Sequence, residues 1–216
     1  MMEPLRITAV IDGPVSMGAP IAIDAMLAAV IAEEQGLIPP TCVADCLPIE
    51  IPIEREPEGR FHLASFALFE VAMRERRYVH RRFPVEEAQM LGTEINIIRI
   101  TAGPGKSYRI PQEGIHPLHG RIAWYCVGDA DPIRDLLAGI GHVGKKRAVG
   151  RGRVKLWSVE PCETWEGFPI VRDGQPLRSL PRDWPGLRAY TVMETRITYP
   201  YWLADGLEPC AVPLLP

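Results

Sequence analysis

Residues 121–160, RIAWYCVGDADPIRDLLAGIGHVGKKRAVGRGRVKLWSVE, restrict the fold more than any other stretch of the chain. RIAWYCVGD (121–129) is a short apolar run of the buried-strand type. Asp131 and Pro132 stand where an N-cap and a first helical residue belong. Ile133, Leu136, Leu137 and Ile140 then recur at i, i+3, i+4 and i+7, the stripe of an amphipathic helix, and Gly139 and Gly141 stop it. RVKLWSVE (153–160) alternates as a second strand.

The N-terminal end reads in a similar way. LRITAVID (5–12) alternates and is bounded by Gly13 and Pro14, which predicts a strand. Ile23, Met26, Leu27, Val30 and Ile31 share a helical face that Gly36 ends. CLPIEIPIE (46–54) alternates too, but its prolines confine it to an edge or an irregular strand. FHLASFALFEVAM (61–73) suits either a buried strand or a helix, and EINIIRITAG (94–103) is a further strand leading to GPGKSYRIP, a turn and a basic strand or loop. The order is strand–helix–strand, a long insertion, then strand–helix–glycine-rich loop–strand. This split βαβ order predicts an α+β fold of the ferredoxin-like or RNA-recognition-motif kind. It gives one domain over 1–160 with an insertion at about 54–118, and a Pro-rich C-terminal extension, 161–216, packed on it.

The loop GIGHVGKKRAVGRGRVKLW (139–157) holds five glycines and six Lys or Arg. Gly139, Gly141 and Gly144 spell GxGxxG, and Gly139–Lys146 approach the P-loop pattern. Both motifs need a strand before the loop and a helix after it, so that helix N-terminal N–H groups face the phosphates. Here the order is helix, loop, strand, and Lys146 stands where a magnesium-binding Ser or Thr belongs. A mononucleotide or dinucleotide site is excluded on that ground. No acidic residue interrupts 139–159. Two further basic runs, Arg74–Arg82 and Lys106–Arg109, lie in the insertion. Glycines that let backbone N–H groups approach, beside Arg forks and Lys, suit the phosphate chain of a nucleic acid.

The net charge of −3 is uninformative by itself, because the clustering of the basic residues matters more. The 22 prolines, about twice the usual ~5%, predict loop-rich regions. Five scattered cysteines fit a reducing compartment. The start lacks the pattern of a signal peptide, and the most apolar segment is too short to span a bilayer. A cytoplasmic protein without a membrane partner is the expectation.

GIGHVGKKRAVGRGRVKLWSVE, preceded by VGDADPIRDLLAGI, resembles the signature of the RAMP superfamily of CRISPR-associated proteins, and within it the type IV member of the fifth Cas family. Val143 and Ala148 are mild departures from that family's loop pattern. The opening LRITAVIDGPVSMGAPIAIDAMLAAVIAE, the TAGPGKSYRIP segment and the late YPYW, with Cys210 and Pro213 after it, are also similar to family positions. The resemblance implies a non-catalytic subunit that grips the 5′ handle of the CRISPR RNA (crRNA) and caps a row of crRNA-binding subunits. Its partners would be crRNA, a backbone subunit of the seventh Cas family, a large subunit and, as a further candidate, target DNA. The residues carried over as RNA-contacting are Gly141, His142, Gly144, Lys145, Lys146, Arg147, Gly150, Arg151, Gly152 and Arg153. Arg76, Arg77, Tyr78, Arg81, Arg82 and Lys106 join them from the insertion, where relatives carry a thumb-like element.

The alternative reading is a metal-independent endoribonuclease that processes the CRISPR transcript. That chemistry needs a base for the 2′-hydroxyl and an acid for the leaving oxygen. His142, His80 with Tyr78, and His62 are the candidates. Cys42, Cys46, His116 and His119 have tolerable zinc spacing, but the pairs lie far apart in Pro-rich loops, and neither a metal nor another cofactor is expected. Asp129 and Asp131 read as a helix cap rather than metal ligands. Trp124, Tyr125 and Trp157 fall on strands, where one on the open sheet face would stack a base. Which face is open does not follow from the sequence.

Overall fold

In β1 (Met2–Asp12) the odd-numbered Leu5, Ile7, Ala9 and Ile11 are buried, while Arg6 and Asp12 are exposed. The chain is seen in a computed structural model that describes residues 1–37, 48–81, 108–201 and 203–214. β1 is the middle strand of an antiparallel sheet, between β4 (Arg121–Asp129) and β5 (Arg153–Pro161). Since both neighbours run antiparallel to β1, they run parallel to each other. α2 (Ala130–Ala138) joins them, which makes the predicted split βαβ unit.

α1 (Ile23–Glu34) and α2 cover one face of this sheet. Ile23, Leu27 and Ile31 of α1, and Ile133 and Leu137 of α2, close over Leu5, Ile7, Ile122, Trp124 and Cys126. Burial of these side chains at ~25 cal/mol per Å² of apolar area drives the assembly. The buried arc of α1 runs through Ile23, Asp24, Leu27, Ala28 and Ile31, so Met26 and Val30 from the predicted stripe are only half-buried. The start of α2 also differs from expectation. The N-cap position is Asp129, not Asp131, and its carboxylate takes the N-terminal amine of Met1 at 2.7 Å rather than a helix N–H. Pro132 therefore lies within the first turn, where a missing N–H costs nothing.

On the outer edge of β4 lies the extended 61–68 segment. Ser65 N–H donates to Tyr125 O at 2.8 Å, and Leu68 and Ala123 exchange bonds of 2.8 and 2.9 Å. It takes the place of a fourth strand, antiparallel to β4, without forming a regular ladder. Ile49, Ile51 and Ile53 do alternate into the core, but 48–54 makes only the isolated Ile53–Gly128 bridge, as its prolines require. The architecture is α+β with antiparallel sheets, compatible with a ferredoxin-like order.

The insertion raises a long hairpin, β2 (Val71–Arg81) against β3 (Tyr108–Pro117). The expected strand at 94–103 lies outside the described residues. After β5 come a short hairpin, β6 (Val171–Arg172) with β7 (Gln175–Pro176), and a small sheet ordered β8 (Leu180–Pro181), β10 (Glu208–Val212), β9 (Thr191–Thr195). This C-terminal region has its own apolar cluster of Ile170, Leu180, Ile197, Cys210 and Val212 around Phe61.

Arg178 fastens that region to the rest. Its guanidinium donates to the carbonyls of His62 and Ala64, to Ile197 O at 2.7 Å and to the Tyr201 hydroxyl at 3.1 Å, and lies 3.5 Å from Asp24 Oδ2. The Tyr201 hydroxyl in turn donates to Asp24. Asp24 and Arg178 are each 1% exposed, and the hydrogen bonds that Asp24 Oδ2 accepts and both Arg178 Nη groups donate offset part of the cost of burying the pair. No helix among the described residues is long and apolar enough to cross a membrane.

Candidate nucleic-acid interface

The glycine-rich loop leaves α2 at Gly139 and returns into β5 as a closed, self-bonded frame. Val143 N–H donates to Gly152 O at 2.8 Å and Val154 N–H to Gly141 O at 2.9 Å. The segment after β1 holds the other side: Gly152 N–H donates to Pro14 O at 2.9 Å and Lys145 N–H to Ser16 O at 2.7 Å. Val143, 1% exposed, plugs the loop into the core. Between these anchors, Arg147–Val149 make one 3-10 turn, with Lys146 and Gly150 left-handed on either side of it.

Two of the glycines answer to the protein's own backbone. A Cβ on Gly152, at φ +66°, would stand 1.9 Å from Val143 O. One on Gly144, at φ +90°, would stand 2.6 Å from Ser16 O. Only glycine fits either position. The close approach inferred from the sequence is thus internal at these two sites. Gly141 is different: its φ lies outside the left-handed region, and an added Cβ would meet nothing within 4 Å.

The frame turns its cations outward. Lys145, Lys146, Arg147 and Arg153 are exposed, and Lys155 beyond them pairs with Asp12 at 3.1 Å. Arg151 departs from the expected set of outward contacts. It is 4% exposed, and its Nη1 lies 3.2 Å from Glu75 Oε1 on β2. Burial works to raise the Glu75 carboxyl, but His116, Arg77 and Arg151 around it hold it below its ordinary range. His116, one of the four residues of the zinc reading, lies 3.5 Å from this carboxylate, while Cys42 and Cys46 lie outside the described residues.

The hairpin and the loop meet at one seam. Val15 and Ile115 exchange two backbone bonds of 2.8 Å, and the Ser16 hydroxyl donates to Glu113 O at 2.7 Å. Since Ser16 also holds Lys145, the arm base and the loop share a three-residue strip. The basic run on β2 is less cationic than it reads. Arg76 pairs with Glu113 directly across the ladder, at 2.5 Å, and Arg77 with Glu75 at 3.2 Å. Tyr78 is exposed beside them, and Arg81 ends the strand opposite Tyr108. Arg82 and Lys106 lie outside the described residues.

Between α1 and the loop runs a cleft of about 500 Å³. Ala25, Met26, Ala29, Val30 and Ile140 supply its apolar lining, and Glu33, His142 and Arg147 its polar groups. The sequence missed this cleft, although Met26 and Val30, assigned to the core stripe, form part of it.

The three candidate histidines do not converge. His142 is half-buried in the loop, and His80 stands on β2 opposite Arg109. His62 is buried beside Asp24 and Arg178, and burial pushes its imidazole down to about 4 despite the opposing carboxylate. The strand aromatics are occupied as well. Trp124 and Trp157 face the helices, their indole N–H groups donating to Ile21 O and Ile140 O at 2.9 Å. Tyr125 is on the opposite face, but Trp165 and Phe168 cover it with ring centroids at 4.9 and 6.1 Å. Burial pushes the Cys126 thiol up to about 12, so it offers no thiolate nucleophile.

A search of curated proteins finds no match to the chain. The sequence model of the CRISPR type IV associated protein Csf3 matches residues 73–213, well over half of it. Csf3 is the type IV counterpart of the fifth Cas family, so the chain belongs to the family that its loop resembles.

Proposed function

We propose that this type IV CRISPR associated protein is a non-catalytic crRNA-binding subunit with a RAMP fold, whose glycine-rich loop grips the 5′ handle. It caps the row of crRNA-binding subunits and touches a seventh-family backbone subunit and the large subunit. The carrying observation is the division of labour among the loop cations. Arg151 is engaged internally by Glu75, while Lys145, Lys146, Arg147 and Arg153 stay exposed on a frame that backbone bonds hold in shape. Preorganised cations bind phosphate without a further entropic cost for ordering the loop.

Apolar surface supports the subunit role. Leu156 on β5 is 61% exposed, and Val192 and Met193 on β9 are 45% and 52% exposed. Such surface suits contact with neighbouring subunits. The scattered histidines favour binding over transcript cleavage, which needs an acid and a base at one phosphate.

The test is fluorescence anisotropy of repeat-derived RNA with the Lys145→Ala/Lys146→Ala/Arg147→Ala variant. Affinity should fall, and the slope of log K against log salt should flatten by ~0.7 for each phosphate of a single strand that is no longer neutralised. Unchanged affinity with a native circular dichroism spectrum overturns the loop assignment.

A further inference from the structure

We infer that the cleft between α1 and the glycine-rich loop holds one unstacked nucleobase bearing an exocyclic amino group, with Glu33 as the residue that reads it. The inference rests on the proposed RNA grip and names a subsite within it.

At about 500 Å³ the cleft falls within the usual range of small-molecule pockets, roughly 300–1,000 Å³. Ala25, Met26, Ala29 and Val30 give it an apolar wall on which a ring can lie flat. Bases held out of the stack are gripped this way, between apolar or aromatic surfaces, with polar groups at their edges. The loop side of the cleft includes Gly141, a glycine that neither a left-handed φ nor a close neighbour requires. Its missing side chain leaves room where a base would enter. Arg147 stands at the same cleft and among the exposed loop cations, so a nucleotide whose phosphate sits on the loop has its base within reach.

Among the described residues, Glu33 is the one acidic side chain lining the cleft. Beside a phosphate path a carboxylate weakens binding through like-charge repulsion, unless it accepts hydrogen bonds from the ligand. Carboxylates accept from amino groups such as cytosine N4, whereas uracil presents an acceptor, O4, at the same position. A base carrying an amino group therefore fits better than uracil, whose N3–H donor is flanked by two carbonyl acceptors that repel the carboxylate.

The probes are three single-stranded ribo-oligomers of equal length: oligo(C), oligo(U) and an abasic ribose-phosphate chain, measured by anisotropy or competition. Oligo(C) should bind about ten-fold more tightly than the abasic chain and about five-fold more tightly than oligo(U). Glu33→Gln should close the gap between oligo(C) and oligo(U). Ala29→Trp, at an exposed helix position, should fill the cleft and bring oligo(C) down to the abasic affinity while leaving the abasic chain unaffected. Ala25→Met, a good helix former at a second lining position outside the loop, does the same should Ala29→Trp unfold the helix. Equal binding of oligo(C) and oligo(U), or a gap that survives these substitutions, overturns the base site while leaving the phosphate grip in place. Failure of the abasic chain to bind overturns the grip itself.

Discussion

Arg151 Nη1 lies 3.2 Å from Glu75 Oε1, and this pairing joins the glycine-rich loop to the hairpin arm 76 positions earlier in the chain. Both side chains are largely out of water, at 5% and 16% exposure. The guanidinium also lies over Gly114, where an added Cβ would meet it at 1.9 Å. The arm, the loop and the segment between β1 and α1 are thereby held as one unit, on which the exposed cations are mounted.

Removing one partner leaves the other charged and buried. Arg151→Ala should destabilise the fold by about 3 kcal/mol, the low end for a broken buried pair, given the residual exposure of Glu75. The double variant Arg151→Met/Glu75→Leu should recover most of that stability. Chemical denaturation of the three proteins checks the pattern, and additive destabilisation in the double variant would show that the two side chains do not interact.

Glu75 also gives the pair a pH dependence. Its folded pKa is depressed below the ordinary 4.5, so its contribution is complete above that value and is lost as pH falls through the folded one. Wild-type stability should drop below about pH 4.5 more steeply than that of Glu75→Gln.

His62 acts in a different window. With a folded pKa near 4 against an ordinary 6.5, the unfolded chain binds the extra proton between those values. Stability should therefore be full above pH 6.5 and decline towards pH 4, by about 3 kcal/mol at most for a shift of that size. Thermal melts of His62→Gln across this range should be flatter. A wild-type curve already flat there would show that His62 is not held neutral.

The glycines separate by the space around them. Gly152→Ala should open the loop, because a Cβ at that φ meets Val143 O, and both melting temperature and RNA affinity should fall. Gly141→Ala should leave the melt unchanged. Equal melts for the two variants would show that the loop frame is not rigid.

Purified protein with repeat-containing RNA in EDTA should bind and leave the RNA intact. Specific cleavage that His142→Ala or His80→Ala abolishes would convert the subunit into a transcript-processing nuclease.

What could be read along the chain was local. Alternation in 5–12, 121–129 and 153–160 and the helical stripe after Asp131 follow from side-chain periods of two and 3.6 residues, which any stretch carries within itself. They placed β1, β4, β5 and both helices, and the helix-before-loop order alone removed the nucleotide motifs. Residues 61–73 stayed ambiguous because a short apolar run suits either period, and only hydrogen bonds to Ala123, Tyr125 and Val127 make most of it extended.

The site's charges depended on partners far away in sequence. Arg151 reads like Arg147 and Arg153, yet Glu75 draws it inside; Arg76 reads as free until the β2–β3 register sets Glu113 opposite it. The cleft likewise exists only because α1 buries Leu27 and Ile31 and leaves Met26 and Val30 facing the loop. Periodicity reports which residues share a face, whereas the direction of that face and the neutralisation of a charge are set when distant segments pack together.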